Sequence, residues 1–382
     1  MLTIVADKNI YRLEDFMPGD SHVHTFDPDE GLPELSDVDA LLIRTVTKIN
    51  ADTIHTIPSN LQFIGTASAG TDHVDAQWLE RQGVTFGNAA GCNARSVAEY
   101  VITGLIEWAE LEGRNLSNER VGIVGVGHVG QQVVELLKDC DMETVCYDPP
   151  RQARDANFTS ARLDEVLSCD ILTLHIPLKS SGRFATHHWL NEDKLKWNKF
   201  NLVINAARGG VADEQALLDA KACGDISHLI TDVWENEPLF RDQLQEQSLI
   251  ATPHIAGYSK EAKTRATAMV AGKMCNHFKY AYEGPPEHKW VDEKQIDRQN
   301  FVSARSHIRS VLRKIHPIMT YHAALSKLTN LKPAEKSKKF SALRTSMPYR
   351  NEFKHISVPE KLYSRNKIWK KIGLKSYAEN SD

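Results

Sequence analysis

A six-residue stretch, Gly125-Val126-Gly127-His128-Val129-Gly130, constrains this chain more than any other, because it stands between an apolar run, Val121–Val124, and a stretch with helical spacing. At such a strand-to-helix turn the first glycine allows the tight bend. The second lets backbone N–H groups approach a pyrophosphate, and the third lets the helix pack on the strand. The helix N-terminus then favours the phosphate charge. The next β-branched run ends in Asp148, 18 residues past Gly130, where an acid accepts ribose hydroxyls and repels a 2′-phosphate. That favours NAD over NADP. Two features pull the other way: Asp148 also reads as a turn residue before Pro149-Pro150, and Arg151 is close enough to accommodate a 2′-phosphate.

Between Val121 and Pro253 short apolar runs alternate with helical stretches, which implies a parallel α/β sheet. The expected strands are Val121–Val124, Thr144–Tyr147, Ile171–Leu174, Leu202–Asn205, Leu229–Asp232 and Leu249–Ala251, enough for a doubly wound, Rossmann-type sheet. A helix over Ser96–Glu112 leads into it, with Val97, Tyr100, Val101, Leu105 and Trp108 on one stripe. Residues 1–90 repeat the alternation more weakly, with strands at Thr3–Ala6, Ala40–Ile43, Phe63–Thr66 and Val84–Phe86, as a second, smaller α/β unit. Ser259 can cap a long helix that stops at Gly284-Pro285-Pro286. A helical pattern follows at Phe301–Ile318, then a lysine-rich stretch over Lys332–Lys339.

The charge is unevenly spread. Residues 301–382 hold 18 Lys and Arg against 5 Asp and Glu, while residues 1–300 hold 28 against 45. A basic end beside an acidic body is expected to dock on it rather than to bind nucleic acid. Of the 382 residues, 41% are hydrophobic and 25% charged, which excludes wholesale disorder, and no apolar run approaches the roughly 20 residues of a membrane span. The start, Met1-Leu2-Thr3-Ile4-Val5-Ala6-Asp7, reaches an acid too early for a secretory signal, so a cytoplasmic protein is expected. The six cysteines show no Cys-x-x-Cys and read as free buried thiols; no metal site is spelled out.

Three motifs follow expected strands: Asn205-Ala206-Ala207-Arg208-Gly209, Asp232-Val233-Trp234-Glu235-Asn236-Glu237-Pro238 and Thr252-Pro253-His254-Ile255-Ala256-Gly257. Ligands of open α/β sheets bind at the carboxyl ends of the strands, so an arginine, a glutamate and a histidine converge there. With this order after a dinucleotide motif, the sequence resembles the D-isomer-specific 2-hydroxyacid dehydrogenases over about residues 1–285. Further motifs carry the resemblance. They are Arg44-Thr45-Val46-Thr47-Lys48-Ile49-Asn50, Gly65-Thr66-Ala67-Ser68-Ala69-Gly70-Thr71-Asp72-His73-Val74-Asp75, Gly91-Cys92-Asn93-Ala94 and His254-Ile255-Ala256-Gly257-Tyr258.

The resemblance implies a substrate-binding domain of residues 1–95 and 258–287, an NAD-binding domain of 96–257 and a C-terminal dimerisation domain of 288–382, with substrate in the cleft of a homodimeric enzyme. It implies that NAD is held by Gly125, Gly127, His128, Val129, Gly130, Asp148, His175, Ala206, Ala207, Arg208, Asp232 and Gly257. His254 is then the base, Glu237 orients it and stabilises its imidazolium, and Arg208 binds the substrate carboxylate and the developing carbonyl. Thr66 and the backbone of Ser68, Ala69 and Gly70 surround the carboxylate, while Arg44, Thr45, Lys48 and Tyr258 hold a terminal phosphate. Arg344 or Arg350 is expected to reach the phosphate in a partner chain's cleft. The implied activity is NAD-dependent oxidation of a phosphorylated 2-hydroxy acid without metal. Other D-2-hydroxyacid dehydrogenases, of the phosphoglycerate or hydroxypyruvate type, share the Arg, Glu and His and are the alternative within the class, and an NAD-sensing corepressor is the reading from another class.

Overall fold

The structure is a computed structural model and describes residues 1–282, 284–285, 289, 291–296 and 308–378. The chain divides into two compact units, one of Met1–Asn93 with Ser259–Asp292 and one of Ala94–Tyr258 with Glu293–Asp382. Among the described residues no helix is long and apolar enough to cross a membrane.

In the first unit β1 (Leu2–Asp7), β2 (Ser21–Phe26), β3 (Ala40–Ile43), β4 (Phe63–Thr66) and β5 (Thr85–Asn88) form a parallel sheet in the order β2-β1-β3-β4-β5. All four residues of β3, Ala-Leu-Leu-Ile, are buried, because a parallel strand covered on both faces needs an apolar side chain at every position. Leu41, Ile43 and Ile64 fill one face. Leu42 and Phe63 meet Val270 and Met274, from the Lys260–His277 helix, on the other. Ser259 caps that helix, its hydroxyl oxygen accepting from the Ala262 N–H at 2.9 Å. The helix ends at His277, short of the expected stop at Gly284-Pro285-Pro286, whose Pro286 lies outside the described residues. Strand order reverses between β1 and β3, which makes their carboxyl ends a switch point suited to ligands.

The second unit contains β6 (Arg120–Val124), β7 (Glu143–Tyr147), β8 (Ile171–Leu174), β9 (Phe200–Asn205), β10 (Ile226–Thr231) and β11 (Ile250–Ala251). These are the six expected strands, all parallel, in the order β11-β10-β9-β8-β6-β7. The switch point falls between β6 and β8, so the glycine turn after β6 opens where a dinucleotide site is expected. The helix over Ala94–Glu112 is buried on nearly every side. It packs with the His128–Asp139 helix on one face of the sheet.

Among the described residues, the buried apolar side chains of the basic C-terminal stretch join the clusters of the second unit. Val311, Leu312 and Ile315 of the Ile308–Ile315 helix join the cluster around the Ala94–Glu112 helix, as do Ile356, Val358 and Trp369. Leu325, Leu328 and Phe340 join the opposite cluster with Trp234 and Phe240. The helical pattern expected over Phe301–Ile318 is realised as two helices, Ile308–Ile315 and Ile318–Ser326, split at Pro317, with residues 301–307 outside the described residues. A small parallel sheet of β12 (Lys294–Gln295), β13 (Ile356–Pro359) and β14 (Lys375–Tyr377) closes this region.

The expected electrostatic docking is present within the chain. Glu107, 3% exposed, accepts from Arg309 Nε and Arg313 Nε at 2.8 Å each. Glu99, fully buried, accepts from Arg350 at 2.5 Å and from Arg95 at 2.9 Å. Lys336 pairs with Asp242 and Lys371 with Asp141. Of Arg344 and Arg350, one of which was expected to reach a partner's phosphate, Arg350 donates to Glu99 and to the Ser96 carbonyl of its own chain.

Candidate active site

The glycine turn is built as its spacing demands. Gly125 has φ +89°, a left-handed conformation that side chains avoid, and a Cβ on Gly130 would stand 2.0 Å from the Gly125 carbonyl oxygen. Gly127 and His128 are exposed at the start of the following helix, with Val129 half-buried, and a Cβ on Gly127 would meet nothing within 4 Å. Asp148, at the end of β7, accepts from the N–H of Val126 and of Arg151 at 2.8 Å each. The reading as a turn residue before Pro149-Pro150 therefore holds. It caps the short Pro149–Gln152 helix and ties that helix to the glycine turn, with further lone pairs for ribose hydroxyls.

Arg151 does not keep its guanidinium for a 2′-phosphate. Its Nη1 donates to the Val126 carbonyl at 2.7 Å and to Gln131 at 3.0 Å, and its guanidinium stacks 4.4 Å from the Phe158 ring. His175, directly after β8 and so across the switch point, hydrogen-bonds Thr173 through Nε2 at 2.9 Å. Its Nδ1 is buried without a partner, and burial pushes the imidazole down to about 3, so the ring is neutral. An orphaned buried nitrogen beside an open glycine turn fits a bound dinucleotide.

On the other side of the switch point, β9, β10 and β11 deliver the three motifs. Arg208 follows β9 in extended conformation and donates Nη1 to the Ala207 carbonyl at 2.8 Å. Gly209 lets this loop approach the Trp234 backbone, where a Cβ would stand 1.9 Å from the Trp234 oxygen. In the loop after β10, Glu237 Oε1 accepts from the Trp234 N–H at 3.0 Å and Oε2 faces His254 Nδ1 at 2.7 Å. Burial pushes the Glu237 carboxyl up, but His254 and the Trp234 N–H outweigh it and hold the group below its ordinary value. An ionised carboxylate only accepts, so Nδ1 carries the proton and a neutral imidazole has its lone pair on Nε2. Among the described residues, no side chain bonds that nitrogen.

His254 itself has φ +58°, a left-handed value uncommon outside glycine. The loop that holds it there is secured by Asp232, 1% exposed, which accepts from the Ile255 and Ala256 N–H groups at 2.8 Å each and from the Thr252 hydroxyl at 2.5 Å. The Tyr100 hydroxyl meets Thr252 at 2.7 Å behind it. Burial pushes the Asp232 carboxyl up, against these donors and His254. Asp232 thus has a task that spacing did not reveal. Gly257 and Tyr258 follow, both half-buried.

In the first unit, Arg44 follows β3 and donates to Asp7, fully buried at the end of β1, at 2.9 Å, so the pair stands at that sheet's switch point. Sequence reasoning missed Asp7, although an acid ending a first strand was a signal. Thr45 and Lys48 are exposed. Thr66, at the end of β4, bonds Ser68 at 2.8 Å and His73 at 3.0 Å, and the Ser68 hydroxyl donates to the Gly70 carbonyl at 2.8 Å. Among the described residues, the N–H groups of Ser68, Ala69 and Gly70 have no acceptor, which suits an incoming anion.

Residues 93–256 match the family described as D-isomer specific 2-hydroxyacid dehydrogenase, NAD binding domain. The chain is 37% identical over 343 residues to the erythronate-4-phosphate dehydrogenase of Proteus mirabilis (strain HI4320), covering 87% of this chain and 88% of that one. It is 35% identical over 381 residues to the enzyme of the same name from Marinobacter nauticus, covering 96% of each. In fold it is similar to D-lactate dehydrogenase from Aquifex aeolicus, solved with NAD and lactic acid, with a TM-score of 0.57 and 23% identity over 72% of this chain and 95% of that one. A neutral His175, an open glycine turn with its acid, and a Glu237–His254 pair are thus carried by an NAD-binding unit, and the chain belongs to the erythronate-4-phosphate dehydrogenase family, within the D-isomer specific 2-hydroxyacid dehydrogenases.

Proposed function

We propose that this NAD-dependent dehydrogenase oxidises 4-phospho-D-erythronate at C2 to (R)-3-hydroxy-2-oxo-4-phosphooxybutanoate, a step toward pyridoxal 5′-phosphate. The observation that carries the reading is the 2.7 Å contact between Glu237 and His254, which leaves an unprotonated Nε2 as a base. Bound NAD supplies the hydride acceptor. Gly125, Gly127, His128, Val129 and Gly130 hold its pyrophosphate, Asp148 its adenosine ribose, and His175, Ala206, Ala207, Arg208, Asp232 and Gly257 line its path.

His254 Nε2 takes the proton of the C2 hydroxyl, and Glu237 stabilises the imidazolium that results. Arg208 binds the carboxylate and the developing carbonyl oxygen, which fixes the reacting carbon. The free N–H groups of Ser68, Ala69 and Gly70, with Thr66, bind the carboxylate, and Arg44, Thr45 and Tyr258 bind the phosphate. The test is absorbance at 340 nm against a panel of D-2-hydroxy acids. The reading expects 4-phospho-D-erythronate to be used best; preference for 3-phosphoglycerate or glycerate, or no turnover of any acid, overturns it.

Asp148→Ala is expected to weaken NAD by roughly tenfold or more, through lost ribose hydrogen bonds and a loosened Val126 turn, and to narrow the preference over NADP. Steady-state kinetics with both cofactors check this, and a wild-type preference for NADP contradicts the role. We also propose a two-fold homodimer in the cytoplasm, supported by the frequency of such dimers and by six free cysteines. Sedimentation of the intact chain reads the dimer. Truncation at Pro286 does not, because it removes side chains that complete the nucleotide unit's core.

A further inference from the structure

Arg344 is the charged group whose surroundings the fold leaves unexplained. It lies in the last turn of the Pro333–Ser346 helix, which Phe340 and Lys336 anchor beside Phe240, in the loop that follows Glu237. Its Nη2 donates to the Tyr258 hydroxyl at 2.8 Å, and its guanidinium stands 5.7 Å from the Tyr258 ring. Tyr349 meets that ring edge-on, with centroids 5.8 Å apart. Arg344 Nε is buried and has no acceptor.

No carboxylate among the described residues lies within ion-pairing distance of Arg344, whereas Arg350 is paired with Glu99, and Arg309 and Arg313 share Glu107. Glu237 and Asp232 act on it only from farther off. Arg344 is half-buried, and its buried Nε without an acceptor is costly unless an anion completes it. The nearest hydroxyl donor, Tyr258, is four residues beyond the base His254.

We propose that Arg344 and the Tyr258 hydroxyl form an oxyanion subsite of the same chain, and that it takes the terminal phosphate of the substrate. The inference rests on the reading given under Proposed function, and it replaces the expectation that Arg344 acts in a partner's cleft. A phosphate oxygen accepts from the guanidinium and from Tyr258, in a planar fork that lysine does not reproduce. The region 308–378 then has a chemical role besides packing. It brings a cation to the catalytic unit.

The experiment compares wild type, Arg344→Met and Arg344→Lys on 4-phospho-D-erythronate and on D-erythronate, and measures inorganic phosphate binding to each free enzyme by calorimetry. Arg344→Met is expected to raise KM for the phosphorylated acid roughly 10–100-fold, the loss of a charge-assisted hydrogen-bond pair, with kcat and the KM for NAD changed only a few-fold. Arg344→Lys should fall between, D-erythronate should be a poor substrate whose kinetics the substitutions leave alone, and inorganic phosphate should lose affinity in step. Equal losses on both acids place the subsite on the carboxylate and overturn the proposal, as does an unchanged KM. If Arg344→Met fails to fold, Arg344→Lys decides by the same comparison. Should wild type reject 4-phospho-D-erythronate, the substrate assignment fails, while phosphate affinity that depends on Arg344 still supports the oxyanion subsite and its absence overturns it.

Discussion

Replacing His254 with alanine is expected to lower turnover by roughly 10²–10⁴ while leaving NAD affinity nearly unchanged, because the side chain moves a proton and the cofactor's adenosine half is bound by the glycine turn and Asp148. Three features make this side chain the base. Its Nδ1 is bonded to an ionised carboxylate at 2.7 Å, its Nε2 has no partner among the described residues, and its backbone is held at φ +58° by the Asp232 hydrogen bonds. Glu237→Gln supplies a finer version of the same test. An amide can present an N–H to Nδ1, which would move the imidazole proton to Nε2 and remove the base, so turnover should fall with the ring still in place. Stopped-flow absorbance gives the rate and fluorescence titration the NAD affinity. A His254→Ala enzyme with normal turnover across the pH range would falsify the assignment.

Replacing Arg350 with methionine is expected to destabilise the nucleotide unit by about 3–5 kcal/mol, the cost of leaving a buried charge without its partner. Glu99 is fully buried, and its carboxylate is held by Arg350, by Arg95 and by the Phe353 N–H at 2.9 Å. Burial still pushes that carboxyl up against the two arginines, so removing the closer arginine leaves desolvation with one guanidinium to oppose it. The substitution also uncouples Asn351–Phe353 from the Ala94–Glu112 helix, since Arg350 spans to the Ser96 carbonyl. Urea unfolding followed by tryptophan fluorescence reads the loss. Arg162→Ala, in the exposed Arg162–Asp164 pair, is the control and should leave the midpoint where it was. A midpoint for Arg350→Met equal to wild type would mean that the C-terminal region is not locked to Glu99.

How much of this was readable from residues alone depended on burial. Strands β3, β4, β6, β8 and β9 are buried along nearly their whole length, so they carry apolar runs. β2, Ser-His-Val-His-Thr-Phe, escaped because it is an edge strand whose mostly exposed side chains carry no such signature. The short strands β12 and β14 are exposed for the same reason. Charge asymmetry correctly indicated that the basic end would dock on acidic neighbours. It did not say which carboxylate each arginine would meet, and so it left Arg344 and Arg350 as alternatives for a ligand, of which Glu99 takes Arg350. Arg208, Glu237 and His254 were legible because each follows a strand at the ligand-binding edge. The holding role of Asp232 was not, since its partners are backbone N–H groups 23 and 24 residues along the chain. Likewise Asp7 and Arg44 meet only because the order β2-β1-β3 puts two strand ends 37 residues apart side by side.

The central claim is that the C2 hydrogen of a phosphorylated 2-hydroxy acid leaves as hydride while His254 takes the hydroxyl proton. The most direct measurement is a single turnover of 4-phospho-D-erythronate deuterated at C2 with NAD, the reduced cofactor then being analysed by mass spectrometry and proton NMR. The account predicts one deuterium on the nicotinamide ring per 2-oxo acid formed, at a rate that His254→Ala lowers. Reduced cofactor without deuterium, or deuterium lost to solvent before any NADH appears, would contradict it.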